Sequence, residues 1–473
     1  MSTFEPVIGL EVHIQLLTAS KMFCGCANEF GRPANTLVCP VCMGLPGVLP
    51  VLNHKALTLG ARVALAFGCA IQEEIVFERK HYFYPDLPKN YQISQYVKPL
   101  GANGSLTTGG NTVRIKRVHL EEDAGKLVHK PDFSLVDLNR TGVPLLEIVS
   151  EPDIYSAQQA FDYLSELKLI VQYIEASTCD MEKGFLRCDA NISLRPKGSK
   201  GLGVKTELKN MNSFRQVQSG LEYEIQRQEK LLLSDKQVSQ ETRLWNEEKK
   251  VTSIMRSKEE AHDYRYFPEP DLVVYTISKA DIDLEKKHIP ELPGDKRRRF
   301  AQDYSLGEND IQVLISSRIL SDLFEASVAE YQNPKKVCNW VIGPLLETLN
   351  SKSKGQDQIK VSAAHFAQLV RMMDEGKITN LIAKEVLAQI VDNDADPVRI
   401  VVEKGLGCVS DQGELKTLVK ELIAANPKAV EDFRAGKEQS VMFLVGQGMR
   451  KTKGKANPNI LKELFTKALN ASP

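Results

Sequence analysis

The feature that most constrains this chain's fold is the run VIGLEVHIQL at residues 7–16. Ile8, Leu10, Val12, Ile14 and Leu16 fall on one side of an extended chain, and Glu11, His13 and Gln15 fall on the other. Such a strand predicts a sheet with one face on a core and one face open to water. Two later runs repeat the pattern, joined by a Pro- and Gly-rich turn at 196–203. In LRCDANISLR, Cys188, Ala190, Ile192 and Leu194 oppose Arg187, Asp189, Asn191 and Ser193. In GVKTELKN, Val204, Thr206 and Leu208 oppose Lys205, Glu207 and Lys209. A solvated face is the simpler reading of any one of them. Their recurrence in three strands points to a site, with oxygen ligands for a hard cation and lysines for phosphate.

Between these strands, residues 117–153 set Glu121, Glu122, Asp123, Asp137, Glu147 and Glu151 among Leu, Ile and Val. Acid side chains are rarely buried unless paired or holding a metal, and Arg140 and Lys126 suffice for only some of them. The stretch reads as a cation-binding floor, against the plainer alternative of a salt-bridged surface sheet. Glu121 and Glu122, set beside Glu11 and His13, are the expected ligand end. Asp137, Arg140 and Glu147 are expected to pair with one another and hold the sheet.

Two close cysteine pairs, Cys24-Gly-Cys26 and Cys39-Pro-Val-Cys42, suit four thiolates around a tetrahedral zinc, with free reduced thiols as the alternative. Four protein ligands close such a site, so its role would be structural. Nine cysteines in all, an odd number, argue against a disulfide framework. No charged-then-apolar leader and no apolar run near the roughly 20 residues that span a bilayer is present, so a cytosolic protein without membrane contact is expected. Lys+Arg and Asp+Glu balance at 61 each, which disfavours a general polyanion binder and leaves room for local basic patches.

The run FERKHYFYPDLPKNYQISQY at 77–96 is basic and aromatic. It suits phosphate, base or ribose contact, or equally a loop tacked down by its rings. No nucleotide-binding glycine loop, GxSxG or HExxH occurs; the nearest candidate, at 448–455, has the wrong spacing. Asn53, Ser156 and Ser213 open amphipathic helices that alternate with the strands. Prolines and charges near 292 mark a boundary, and beyond it helix follows helix: 310–330, 337–349 with a break at Gly343-Pro344, 362–375, 379–391, one capped by Asp396, then Ser410 to Ala425, 427–434, 440–449 and 458–471. Arg450, Lys451, Lys453 and Lys455 form a basic glycine loop suited to a nucleic-acid backbone, or simply to solvent.

With these motifs in view, the chain resembles the B subunits of the bacterial aspartyl/glutamyl-tRNA(Asn/Gln) amidotransferases, the GatB family. The runs that carry the resemblance are GLEVHIQLLTASKMFCGC, CPVCMGLPGVLPVLN, the aromatic run above, HLEEDAGK, DLNRTGVPLLEIVSEPD, RCDANISL, ELKNMNSFR, MRSKEEAHDYRYFPEPDL and FLVGQGMRKTKGKANP. They extend from near the N-terminus to the last helix. The resemblance implies an α+β architecture: a cradle domain on a largely antiparallel sheet (1–292), a helical domain (293–402) and a small helical tail that binds tRNA (403–473). It implies a heterotrimer, in which an amidase (the A subunit) releases ammonia from glutamine and a small C subunit clamps the pair. The cradle would use Mg-ATP to phosphorylate the side-chain carboxyl of Glu or Asp misacylated on tRNA, and ammonia would displace the phosphate. On that reading Glu11, His13 and Glu122 hold the magnesium, with Glu121, Asp189 and Glu207 as neighbouring or second ligands. Lys80, Lys89 and Lys205 hold phosphates, Tyr82 and Tyr91 border the nucleotide, and Cys24, Cys26, Cys39 and Cys42 hold a structural zinc. The competing expectation is a zinc-stabilised tRNA-binding scaffold whose chemistry lies on a partner.

Overall fold

The computed structural model describes residues 3–257, 264–408, 412–437 and 439–471. The chain is α+β and divides into two compact units, 1–293 and 294–473. In the first unit the main strands are β1 (Phe4–Gln15), β2 (Ala70–Ile71), β3 (Glu74–Ile75), β4 (Glu78–His81), β5 (Tyr91–Ser94), β6 (Gly101–Thr108) and β7 (Asn111–Glu122). After these come β8 (Lys126–His129), β9 (Ser134–Asp137), β10 (Pro144–Ser150), β11 (Leu186–Pro196), β12 (Thr206–Lys209), β13 (Glu241–Asn246) and β14 (Val251–Ser257). The helices are α1 (His54–Ala66), α2 (Ala157–Tyr173), α3 (Phe214–Leu233) and α4 (Lys279–Lys287).

One nine-stranded sheet, in the order β14-β13-β12-β11-β1-β10-β7-β6-β2, organises this unit. Every neighbouring pair is antiparallel except β12 with β13. The alternation in residues 7–16 explains why β1 lies near the middle. Ile8, Leu10, Val12 and Ile14 are at most 1% exposed, against Leu164, Leu167 and Val171 of α2 and Val217 and Leu221 of α3. Each such side chain contributes about 1.5–3 kcal/mol by leaving water. The helices begin where short polar side chains replace missing acceptors: Asn53 accepts from the amides of Lys55 and Ala56, Ser156 from that of Gln159 and Ser213 from that of Gln216. All three helices contribute buried residues to the core on the apolar back of the sheet, which leaves its polar front uncovered by them. β13 and β14 extend the sheet past β12.

The second unit is helical: α5 (Pro293–Tyr304, begun at the last residue of the first unit), α6 (Glu308–Ile315), α7 (Arg318–Glu330), α8 (Pro334–Trp340), α9 (Leu346–Ser351), α10 (Ala363–Asp374), α11 (Asn380–Asn393), α12 (Pro397–Glu403), α13 (Gln412–Ala425), α14 (Pro427–Arg434), α15 (Ser440–Lys451) and α16 (Pro458–Ala471). Its buried side chains form two clusters, one from Phe300 to Val401 and one from Leu415 to Leu469. The single helix expected over 310–330 is two helices, with Ser317 extended between them. Continuing the Ile311–Leu314–Ile315 face for another turn would bring Arg318 inward; the break buries Leu320 and Phe324 instead. The Gly343-Pro344 break is a π turn, Val341–Leu345, which accommodates a proline that has no amide to donate. The expected helix start at Ser410 lies outside the described residues. No described helix is long and apolar enough to cross a membrane.

Candidate active site

On the front of β1, strand register decides what meets His13. It sits opposite Arg187 of β11 on one side and Glu147 of β10 on the other, and Glu147 sits opposite His119 of β7. Two residues along β7, Glu121 returns to the same face. His13 Nε2 lies 3.4 Å from Glu147 Oε2 and 3.6 Å from Glu121 Oε1. His119 Nε2 lies 3.0 Å from Glu147 and 3.8 Å from Glu121. Ligand atoms of His13, Glu121 and Glu147 all fall within 4.8 Å of one another.

Charge explains how two acids survive here. Burial works against a protonated His13, but Glu147 and Glu121 outweigh it and raise its pKa to about 9. His119 moves upward under the same opposition. Burial likewise works against ionised Glu121 and Glu147, yet the imidazoles hold both below the usual carboxylate range. The imidazoles and carboxylates thus favour each other's charged forms, and a divalent cation would supply positive charge to the same two acids. The donor set fits such an ion: carboxylates suit magnesium, and the imidazoles extend the range to manganese and zinc.

A cleft of 870 Å³ opens over this floor. Lys80, Tyr82, Tyr264 and Tyr266 line it, and the Lys80 ammonium lies 5.0 Å from the Tyr264 ring centre. Burial opposes the Lys80 charge, but Tyr266, Glu121 and Glu147 outweigh it and move its pKa upward. On the β11 side Lys209 pairs with Asp189 and lies 3.4 Å from Glu207, which accepts from the Thr242 hydroxyl at 2.8 Å. Glu11 accepts from Asn191 at 2.9 Å, and Arg187 meets Asp123 at 2.8 Å. Several buried atoms of the cleft lack partners, among them His119 Nδ1 and Gln95 Nε2. The cleft therefore places a floor whose donors fit a cation beneath walls that carry ammonium and phenol groups, an arrangement suited to phosphate and carboxylate oxygens.

In the same unit the sulfurs of Cys24, Cys26, Cys39 and Cys42 lie within 4.8 Å of one another and none is disulfide-bonded. Four sulfurs about 2.3 Å from a tetrahedral zinc are about 3.8 Å apart, so the set fits that ion. Cys42 is lowered to about 4 by the Cys24 thiol, the Cys39 amide and the ammonium of Lys21, despite its burial. Lys21 is fully buried and donates to Leu37 O at 2.7 Å.

Residues 6–283 match the family model described as the GatB/GatE catalytic domain, and residues 322–469 match the GatB domain. The chain belongs to the GatB family. Curated relatives align along nearly their whole length. A protein of Carboxydothermus hydrogenoformans is 50% identical over 474 residues, covering 98% of each chain; one of Brevibacillus brevis is 49% identical over 478 residues, covering both chains completely. A Brachyspira hyodysenteriae protein is 47% identical over 480 residues, covering 99% of each. All three are named as the B subunit of aspartyl/glutamyl-tRNA(Asn/Gln) amidotransferase. The His13 cluster and the four cysteines fall in the part that matches the catalytic domain, and the basic loop at 450–455 falls in the part that matches the GatB domain.

The fold brings together many of the residues singled out from sequence. Glu11, His13, Lys80, Tyr82, Glu121, Asp189, Lys205 and Glu207 all line the cleft. Glu122 does not reach it. Neighbours on a strand face opposite ways, and Glu122 turns to the back, where Lys89 pairs with it and the Ile93 amide donates to it at 3.0 Å. Lys89 is thereby taken away from any phosphate in the cleft. Tyr91 also lies outside it, stacked under Arg79 at 4.3 Å. The expected Asp137–Arg140–Glu147 grouping does not form. Arg140 donates to the carbonyls of Ala124 and Gly125, Asp137 accepts from the Asn35 and Asn139 amides, and Glu147 lies in the His13 cluster. In the second unit Arg450, Lys451 and Lys453 are exposed and Lys455 is half-buried; Lys451 pairs with Glu421 at 2.6 Å. His119, Glu147, Arg187, Lys209, Tyr264 and Tyr266 were not assigned to the site from sequence. A strict count of twos from Leu145 and from Arg117 would have exposed the first two.

Proposed function

We propose that this chain is the B subunit of a glutamine-dependent tRNA amidotransferase. It acts with an amidase (the A subunit) and a small C subunit on Glu-tRNA(Gln), Asp-tRNA(Asn) or both, and its active site is the cleft over His13, Glu121 and Glu147. The observation that carries the reading is that mixed cluster of two imidazoles and two carboxylates on the floor of a cleft walled by lysines and tyrosines. The full-length likeness to relatives of that name supports it.

A carboxylate becomes an acceptor of ammonia once one of its oxygens can leave as phosphate. ATP transfers its terminal phosphoryl group to the side-chain carboxyl of the misacylated residue. Ammonia then forms the C–N bond, and the C–O electron pair departs with phosphate. Such steps ask the protein chiefly for positioning and neutralised charge. Glu121, Glu147 and His13 would hold magnesium, which when bound screens the charge of the transferring phosphoryl oxygens. Lys80, kept charged by Glu121 and Glu147, presents an ammonium to the same oxygens. Lys209 orients Asp189 and Glu207, and Arg187 orients Asp123. The four cysteines would hold a structural zinc, and the 450–455 loop would bind the tRNA backbone.

In the assembled enzyme, Glu147→Gln is expected to abolish ATP-dependent amide formation on misacylated tRNA while glutamine hydrolysis by the amidase persists. Normal amidation by that variant would overturn the site. Phosphorylation of the misacylated tRNA with the amidase inactivated separates this reading from a scaffold with its chemistry elsewhere.

A further inference from the structure

The 870 Å³ cleft adjoins a second cavity of 570 Å³, and Glu11, Lys116, Arg117, Lys205 and Gln240 line both. Lys116 and Arg117 are consecutive in β7 and on a regular strand would face opposite ways. Here the alternation slips. Val113 and Ile115 are buried before the pair, and Val118 and Leu120 after it. The β10 ladder matches Ile115 to Ser150 and Arg117 to Val149, which leaves Lys116 as an extra residue. A bulge of this kind re-aims a side chain, and bulges concentrate beside active sites. Two adjacent cations are thereby turned to one side of the sheet, and Lys205, just before β12, joins them.

These cations lack the partners their neighbours have. Arg187 is tied to Asp123 and Lys209 to Asp189, whereas no ion pair of Lys116, Arg117 or Lys205 occurs among the described residues. The Arg117 Nε is buried without an acceptor, a state that costs free energy until one arrives. Of the acids lining the second cavity, Glu11 is bonded to Asn191 and Glu151 lies apart from the shared wall.

We infer that Lys116, Arg117 and Lys205 form the polyphosphate subsite of the nucleoside triphosphate, with the transferring end directed to the His13–Glu121–Glu147 floor. Three unpaired cations match a triphosphate, whose charge is several times that of a single RNA phosphodiester. The inference rests on the function proposed above, keeps the phosphate role expected of Lys205, and adds Lys116 and Arg117 as the cations that hold the remaining phosphates.

The test is calorimetric titration of the full chain with Mg-ATP and, separately, with inorganic triphosphate. Lys116→Ala and Arg117→Ala are each expected to weaken both ligands about tenfold, the weight of one charge-assisted bond. Mn²⁺ binding at the floor, followed by its paramagnetic resonance signal, and affinity for misacylated tRNA should stay unchanged, and Lys116→Arg should restore triphosphate binding. Unchanged affinity for both ligands in the alanine variants would overturn the subsite, as would Lys116→Arg failing as badly as Lys116→Ala. A fall in tRNA affinity with ATP unaffected would assign these cations to RNA and refute the inference. If wild-type chain binds triphosphate through these residues but not Mg-ATP, the subsite stands and the ATP-dependent function fails; if it binds neither, both fall.

Discussion

The buried pair of Lys89 and Glu122 gives the most direct check of the geometry, because sequence placed one on phosphate and the other on magnesium. Their side chains are 8% and 2% exposed. Glu122 Oε1 also accepts from the Ile93 amide, and the Glu122 carbonyl accepts from Gln92 at 2.6 Å. The turn of the cysteine knuckle packs on the lysine stem: Gly44 has φ +66°, and a side chain there would collide with Lys89 Cγ. Removing one partner strands a buried charge, so Lys89→Met and Glu122→Leu should each cost about 3–5 kcal/mol. In the double variant no charge is stranded and only the Ile93 amide loses its acceptor, for about 1–3 kcal/mol. The two singles would sum to about 6–10 kcal/mol, so the double-mutant cycle should show a coupling of several kcal/mol. Urea unfolding of the full chain measures it, with Trp340→Phe in the background so that Trp245 alone reports the first unit. Single variants costing under about 1 kcal/mol, or additive effects, would refute the pairing. A Glu122→Gln variant that loses Mn²⁺ from the cleft while keeping its stability would show that the carboxylate faces the floor after all.

Metal analysis of the purified chain is expected to find one zinc held by the four cysteines, and Cys42→Ser should release it and lower the melting temperature of the first unit; a zinc-free wild-type chain as stable as the zinc-loaded one would refute a structural role. For the tail, Arg450→Ala with Lys453→Ala should weaken tRNA binding and reduce its logarithmic salt slope by about 2, one per cation. Lys451→Ala should do less because Glu421 already engages that ammonium. An unchanged slope would show the loop to be only solvated.

What was legible in the sequence follows from the physics of each element. The strand at 7–16 could be read because every second side chain is apolar and goes to the core. The same rule recovered the apolar faces of β11 (Cys188, Ala190, Ile192, Leu194) and of β12 from Thr206 on; Val204, counted with that face, lies before the strand and is exposed, and Ser193, counted with the polar face, is buried. The cysteine knuckle could be read because thiolate geometry restricts spacing. The acid-rich stretch was harder. Its composition groups Glu121 with Glu122, whereas its alternation separates them, because adjacent residues of a regular, unbulged strand take opposite sides. Glu147 looked like scaffolding because Arg140 was close in sequence; in the fold β10 lies between β1 and β7, and the histidines it meets come from residues 13 and 119. Such cross-strand partners are set by sheet order, which no local pattern encodes. The one-helix reading of 310–330 failed similarly, since the phase slip at Arg318 becomes visible only once the buried face is known.

The slip in β7 can be put to use. Without Lys116 the run would read Val113, Arg114, Ile115, Arg117, Val118, His119, Leu120, Glu121, a continuous alternation with every apolar residue on the core side. The β10 partners Ser150 and Val149 would then meet Ile115 and Arg117 as successive pairs. On the β6 side the extra residue would be Asn103, whose φ of +57° already suits a bulge. Deleting Lys116 should therefore leave the sheet and the Trp245-reported stability within about 1 kcal/mol of wild type, as expected when no buried contact is lost. The same deletion should weaken inorganic triphosphate at least as much as Lys116→Ala does. A chain that aggregates or unfolds on losing this residue would mean that the bulge is required by the packing of β6, β7 and β10. A stable deletion variant that still binds triphosphate as wild type does would remove the reason for the bulge to carry a lysine. Stability retained with binding lost is the result expected if the extra residue serves the ligand rather than the fold.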